Sequence, residues 1–138
     1  MVYKHIQKID RIAIQRFADI YGYPDSEYAI SLFHQIHGGQ PVGYYVHILK
    51  DDSIEPVFVQ QLLTFDDGDY AIEDAMRSFY LDDDIIPLAI CENDGYLCYA
   101  VKTSTFCFCD AECSDFYPVV WENGTPYTLD DFYDDLKP

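Results

Sequence analysis

Apolar positions along the first third of the chain recur at spacings of three and four. Between Lys4 and Tyr21 they place Ile6, Ile9, Ala13, Phe17 and Ile20 on one face of a helix. A break at Tyr21-Gly22-Tyr23 leads into Pro24, whose fixed φ and missing N–H suit the first turn of a second helix, with Asp25 and Glu27 favourable to its dipole. Ala29, Ile30, Phe33 and Ile36 form the apolar stripe of that helix. Gly38-Gly39 followed by Pro41 predicts its end near Ile36, because glycine accepts the left-handed conformation that closes helices.

Beyond Pro41 the pattern changes. The run VGYYVHIL from Val42 to Leu49 is β-branched and aromatic and ends at Lys50-Asp51-Asp52-Ser53, a strand and a turn. The next run, PVFVQQLLTF, is read as a strand, although periodicity alone does not separate strand from helix in so short a segment. After the acidic turn Asp66-Asp67-Gly68-Asp69, the segment from Tyr70 to Tyr80 carries Ile72, Ala75, Met76 and Phe79 on one helical face, and Asp82-Asp83-Asp84 closes it. Four further strands follow as IIPLAI from Ile85, YLCYAV from Tyr96, TFCFCD from Thr105 and YPVVWE from Tyr117. Gly95 after Asn93-Asp94 marks the first hairpin turn among them. Thr128 caps a last helix, with Asp130 and Asp131 in its first turn and Leu129, Phe132, Tyr133 and Leu136 inward. The expectation is a single α+β domain spanning residues 1–138, with a mixed or largely antiparallel sheet of about five to six strands and helices on one face.

Charge narrows the function classes. The 25 acidic and 8 basic residues give a net charge of −17, a field that repels nucleic acid and anionic membranes and steers a basic protein inward. Lys4, Lys8, Arg11 and Arg16 against Asp10 leave the first sixteen residues at +3 and the remainder at −20. The same acidity also serves to keep an aromatic-rich surface soluble. Thirteen tyrosines favour a half-buried binding surface, since the ring is apolar and its tip polar. The N-terminus has alternating charges and no signal-like apolar run, so a cytoplasmic protein is expected, monomeric or weakly dimeric. Five cysteines at irregular spacing argue for thiols rather than a disulfide framework.

Candidate chemistry is sparse. Cys107-x-Cys109-x3-Cys113, with Cys91 and Cys98, supplies soft ligands but lacks paired knuckles, which makes a zinc-binding module an alternative and small apolar thiols the first reading. Neither Asp66-Asp67-Gly68-Asp69 nor Asp82-Asp83-Asp84 has the alternating spacing of a calcium loop. His5, His34, His37 and His47 join no nucleophile in a recognisable motif; His34 and His37 stand three apart, and His37 at the helix stop reads as a capping or surface residue. No dinucleotide fingerprint, phosphate loop or basic aromatic platform occurs. No enzyme activity, metal or cofactor is expected.

Four stretches resemble the SUKH superfamily, which includes fungal cell-wall regulators of the SMI/KNR type and bacterial immunity proteins. Tyr23-Pro24-Asp25-Ser26-Glu27-Tyr28 through His37-Gly38-Gly39-Gln40-Pro41 is similar to its helix start and glycine stop. Ile86-Pro87-Leu88-Ala89 with Asn93-Asp94-Gly95 and Leu97-Cys98-Tyr99 looks like its central hairpin. Phe106-Cys107-Phe108-Cys109-Asp110-Ala111-Glu112 resembles its acidic strand end, with Cys109 and Ala111 in place of Trp and His. Leu129 to Leu136 echoes its closing helix. His37 stands where the family has Asn. The resemblance implies an α+β fold and a protein that neutralises a cognate toxin, often a nuclease, by binding it; a regulatory scaffold of the SMI/KNR type is the alternative. The residues expected to meet a basic partner are Asp66, Asp67, Asp69, Asp82, Asp83, Asp84, Glu92 and Asp94, with Tyr44, Tyr45, Tyr96 and Tyr99 as aromatic anchors. Pro24, Gly38, Gly39, Pro41, Pro87 and Gly95 are expected to shape the fold.

Overall fold

A computed structural model describes residues 1–111 and 114–138. The first helix, α1 (Arg11–Tyr21), begins later than the apolar pattern suggests, because the Asp10 side chain caps it by accepting from the Ile12 N–H at 3.0 Å. The residues ahead of it include a short strand, β1 (Tyr3–Lys4), which pairs antiparallel with β2 (Gln40–Pro41). The helix therefore turns a different face inward. Ile14, Phe17 and Ala18 are buried, whereas Ile20 is 71% exposed and Ile6 lies outside the helix altogether. Gly22 ends α1 in the left-handed region and donates its N–H to the Ala18 carbonyl at 2.8 Å.

The second helix, α2 (Glu27–Ile36), is capped by Ser26, whose hydroxyl accepts from the Ala29 N–H at 3.2 Å. Pro24 is buried in the connection before that cap, after a cis peptide bond, and not in the first helical turn, because the serine hydroxyl sets the boundary. Ala29, Ile30, Phe33 and Ile36 face inward as expected, joined by Leu32. His37 is the C-cap of this helix, as the capping reading had it, but it is 1% exposed, in the core and not on the surface: its Nε2 accepts from the Phe65 N–H at 3.0 Å, and its carbonyl accepts from the Gln7 N–H at 2.8 Å. Gly38 follows at φ 63°, with the Gln7 side chain where a Cβ would stand.

Six strands make the sheet: β3 (Tyr45–Lys50), β4 (Ser53–Leu62), β5 (Ile85–Cys91), β6 (Tyr96–Ala100), β7 (Thr105–Cys109) and β8 (Phe116–Val120). Each pairs antiparallel with the next, and β3 returns to β8 through His47 opposite Val120 and Ile48 opposite Val119, so the sheet closes as a barrel. The α+β class and the antiparallel strands are those expected; the closure is an addition. Pro87 is accommodated in β5 because the register shifts between it and Ala89, which suits a residue with no N–H to give. The turn after β5 differs from the expected one. Asn93 and Asp94 take the left-handed conformations at φ 58° and 61°, while Gly95 is extended and is glycine because a Cβ would meet the Phe108 ring at 2.2 Å.

Alternation along β6 and β7 sends Leu97, Tyr99, Phe106 and Phe108 into one core with the apolar faces of α1, α2, α3 (Ile72–Ser78) and α4 (Leu129–Leu136). Within it Phe132 of α4 packs against Phe33 and Phe106. Thr128 caps α4 as expected, in a reciprocal box with Asp131. Cys98 and Cys109 lie on the opposite face of the sheet, where Phe79, Leu81, Ile85 and Tyr96 pack over them. Among the described residues no helix is long and apolar enough to cross a membrane.

Candidate functional site: the aromatic and acidic corner after α3

The short helix α3 sets the two principal acidic turns apart. Before it, the loop carrying Asp66, Asp67 and Asp69 is pinched at its neck, where the Thr64 N–H donates to the Tyr70 carbonyl and the Ile72 N–H donates to the Thr64 carbonyl, both at 2.9 Å. All three carboxylates are exposed, and Asp66 spends part of its accepting capacity on the Gly68 N–H at 3.2 Å. After the helix, Leu81 N–H donates to the Met76 carbonyl at 3.0 Å while Tyr80, at φ 53°, is thrown outward and is 93% exposed. The following backbone is held down, since the Asp82 carbonyl accepts from Ile85 N–H at 2.9 Å and the Asp84 carbonyl from Val101 N–H at 2.8 Å. The side chains of Asp82 and Asp83 remain exposed and that of Asp84 is half-buried.

Seven helical residues at about 1.5 Å rise separate the two turns by about 10 Å, so they form two patches and not one. Their settings differ in sign. Asp66, Asp67 and Asp69 precede a helix N-terminus, whose partial positive charge offsets part of their field. Asp82, Asp83 and Asp84 follow the C-terminus, whose partial negative charge adds to theirs. Arg77 in the last turn of α3 and Lys102 beside Asp82, Asp83 and Asp84 offset part of the charge of the second patch.

Three clefts meet at this corner. One, of about 380 Å³, is walled by Phe79, Leu81, Ile85, Cys107 and Phe116, with Asp82 among its lining residues. A second runs from Tyr80 to Tyr21, Arg77 and Asp83. The third places Asp82, Asp83 and Asp84 against Ile20, Val101 and Lys102. None of the three takes a residue from the 66–69 turn. Tyr96 joins the corner through its ring, which stands 5.4 Å from that of Phe79.

The remaining expected contacts disperse. Tyr44 and Tyr99 are each 4% exposed and cannot serve as anchors: the Tyr44 hydroxyl is bonded to that of Tyr127 at 2.7 Å, and the Tyr99 ring packs between Tyr23 and Phe106. Burial pushes the Tyr44 phenol above its ordinary range, which keeps it neutral. Tyr45 is exposed against Phe58, on β3 and β4. The Glu92 carboxylate is turned back to accept from the Phe58 N–H at 3.3 Å. Asp94 is exposed and lines a separate cleft with Lys4, Gln40, Gln61 and Tyr70. Tyr80 and Phe116, which the corner does present, lay outside the expected set. The available signal for Tyr80 was its place off the Ile72, Ala75, Met76 and Phe79 stripe and beside an acidic run.

His34 is exposed and His37 buried, so the pair three residues apart does not present two imidazoles together. Among the described residues Cys91, Cys98, Cys107 and Cys109 form no disulfide; Cys113 and Glu112 lie outside the described residues. Among the described residues no group of three or more His, Cys, Asp or Glu side chains is arranged to hold a metal ion. Compared with protein-family models, curated proteins and solved structures, the chain matches none.

Proposed function

We propose that the chain is a non-catalytic protein-binding domain that captures a basic partner at the corner after α3, and that it acts as an immunity protein of the SUKH type against a basic toxin. The observation that carries this reading is Tyr80, 93% exposed beside Asp82 and Asp83 and open to an apolar cleft that ends at the half-exposed Phe116. An aromatic ring next to a cleft is the kind of anchor that dominates binding energies, and the surrounding carboxylates select a cationic rim opposite. The net charge of −17 draws such a partner in from a distance.

The test is titration calorimetry against the polypeptide encoded immediately upstream, at low and moderate salt. Tyr80→Ala should weaken binding about tenfold or more, as truncation of an anchor does. Asp82→Asn with Asp83→Asn should flatten the salt dependence, whereas neutralising Asp66, Asp67 and Asp69 together should leave the affinity within about threefold, as for charges outside an interface. A full loss on neutralising the 66–69 turn with none from Tyr80→Ala would move the interface to the other end of α3. No binding and no protection of cells from the upstream polypeptide would sink the immunity reading.

A further inference from the structure

The apolar cleft at the corner has a chemical feature that binding a partner does not use. Its wall includes Cys107, a half-buried thiol, whereas Cys91, Cys98 and Cys109 are fully enclosed. In the β6–β7 ladder Cys98 stands directly opposite Cys107, so both side chains leave the same face of the sheet. Directly opposed residues of an antiparallel pair have Cα atoms about 4.5 to 5.5 Å apart, inside the span of about 4.4 to 6.8 Å that a disulfide bridges. Cys109 lies 3.8 Å from Cys98, sulfur to sulfur, but it shares a strand with Cys107 two residues away, where parallel side chains about 6.6 Å apart are poorly placed to join. Cys98 is thus the partner that geometry gives to Cys107.

We infer that Cys107 is a modification site for small uncharged hydroperoxides, and that Cys98 resolves the product into a Cys98–Cys107 disulfide. The Cys107 sulfur attacks the terminal oxygen of the hydroperoxide ROOH; the S–O bond forms, the O–O bond breaks, and the alcohol ROH leaves with the thiol's proton. Cys98 then attacks the sulfenic sulfur; the S–S bond forms, the S–O bond breaks, and hydroxide leaves with the Cys98 proton as water. Two thiols are oxidised by two electrons and one hydroperoxide is reduced. The cleft selects the oxidant: its walls of Phe79, Leu81, Ile85 and Phe116 suit an organic group, and Asp82 together with the acidic molecule disfavours anionic oxidants and anionic disulfides. The hydrogen bond from Cys98 holds the Cys107 thiol below its ordinary range, favouring the thiolate that reacts, and the same bond pushes Cys98 well above its own. Cys91 is an internal reference, since burial pushes its thiol up to about 12.

The experiment treats the intact protein with cumene hydroperoxide and maps its cysteines by mass spectrometry. The expected result is a loss of two mass units, a peptide pair joined through Cys98 and Cys107, and Cys91 still alkylatable after denaturation. Cys98→Ser should stop at a sulfenic acid on Cys107 that a cyclic 1,3-dione traps, and Cys107→Ser should abolish oxidation of Cys98. A disulfide from Cys107 to any cysteine other than Cys98, unchanged oxidation of Cys98 in Cys107→Ser, or oxidation of Cys91 as fast as Cys107 would overturn the assignment. The map of the unsubstituted protein decides the matter by itself should either variant fail to fold.

Discussion

The His37 imidazole occupies a position that only its neutral form fits. Its Nε2 accepts from the Phe65 N–H, which requires that nitrogen to be unprotonated, and its buried Nδ1 has no hydrogen-bond partner among the described residues. Burial lowers its pKa below the ordinary histidine value, with nearby Asp66 opposing in part. The unfolded chain therefore takes up a proton at a higher pH than the folded one. The stability linked to His37 is complete above the unfolded pKa of about 6.5 and is lost as the pH falls from there towards the folded value. His37→Gln, whose amide oxygen can take over the Phe65 bond, should be the less stable protein at pH 7.5, and the gap should close as denaturation is repeated down to pH 5. Parallel curves would show that His37 does not titrate differently on folding. Sequence reasoning read His37 as a capping or surface residue because a histidine at a helix stop is ordinarily solvated; it is the C-cap of α2, and the Phe65 amide that holds it inside is 28 residues away. Tyr44 was misplaced for the same kind of reason, since its hydroxyl is satisfied by Tyr127, 83 residues on.

Elements were read well wherever local pattern decides them. The β6–β7 hairpin and the Thr128 cap follow from alternation or from a residue adjacent to the element it controls, while the run from Pro56 to Phe65, which periodicity does not assign, contributes to a strand over Ser53–Leu62. The phase of α1 was not so determined. Two apolar stripes that share Phe17 compete in that segment, one through Ile6, Ile9, Ala13, Phe17 and Ile20 and one through Ile14, Phe17 and Ala18, and the Asp10 cap together with the pairing of β1 to β2 selects the second. The β3–β4 hairpin shows a local cost that sequence does reveal. Asp51 and Asp52 both take left-handed conformations, at φ 51° and 62°, in the two-residue link between Lys50 and Ser53. Asparagine and glycine adopt such a turn with less strain than two like-charged aspartates. Asp51→Asn combined with Asp52→Gly should stabilise the fold by about 1 kcal/mol, read as a higher urea midpoint with an unchanged slope. A lower midpoint would mean that the paired aspartates contribute something the turn geometry does not show.

At the scale of the whole molecule one property acts on folding and on recognition with opposite signs. The carboxylates behind the net charge of −17 repel one another in the folded state, and screening shortens the reach of that repulsion from about 30 Å at 0.01 M salt to about 8 Å at 0.15 M. The melting temperature should rise over that range in sodium chloride while association with the basic partner weakens, so melting curves and binding isotherms at matched salt should move in opposite directions. A melting temperature indifferent to salt would show that the acidic turns lie too far apart to repel. The closed sheet has a separate consequence, for crowding. Each of its six strands is flanked on both sides, which leaves another chain less edge to extend than an open sheet of six strands would. The two residue pairs between β3 and β8 make that closure, so a substitution that parted them would open an edge on each of those two strands.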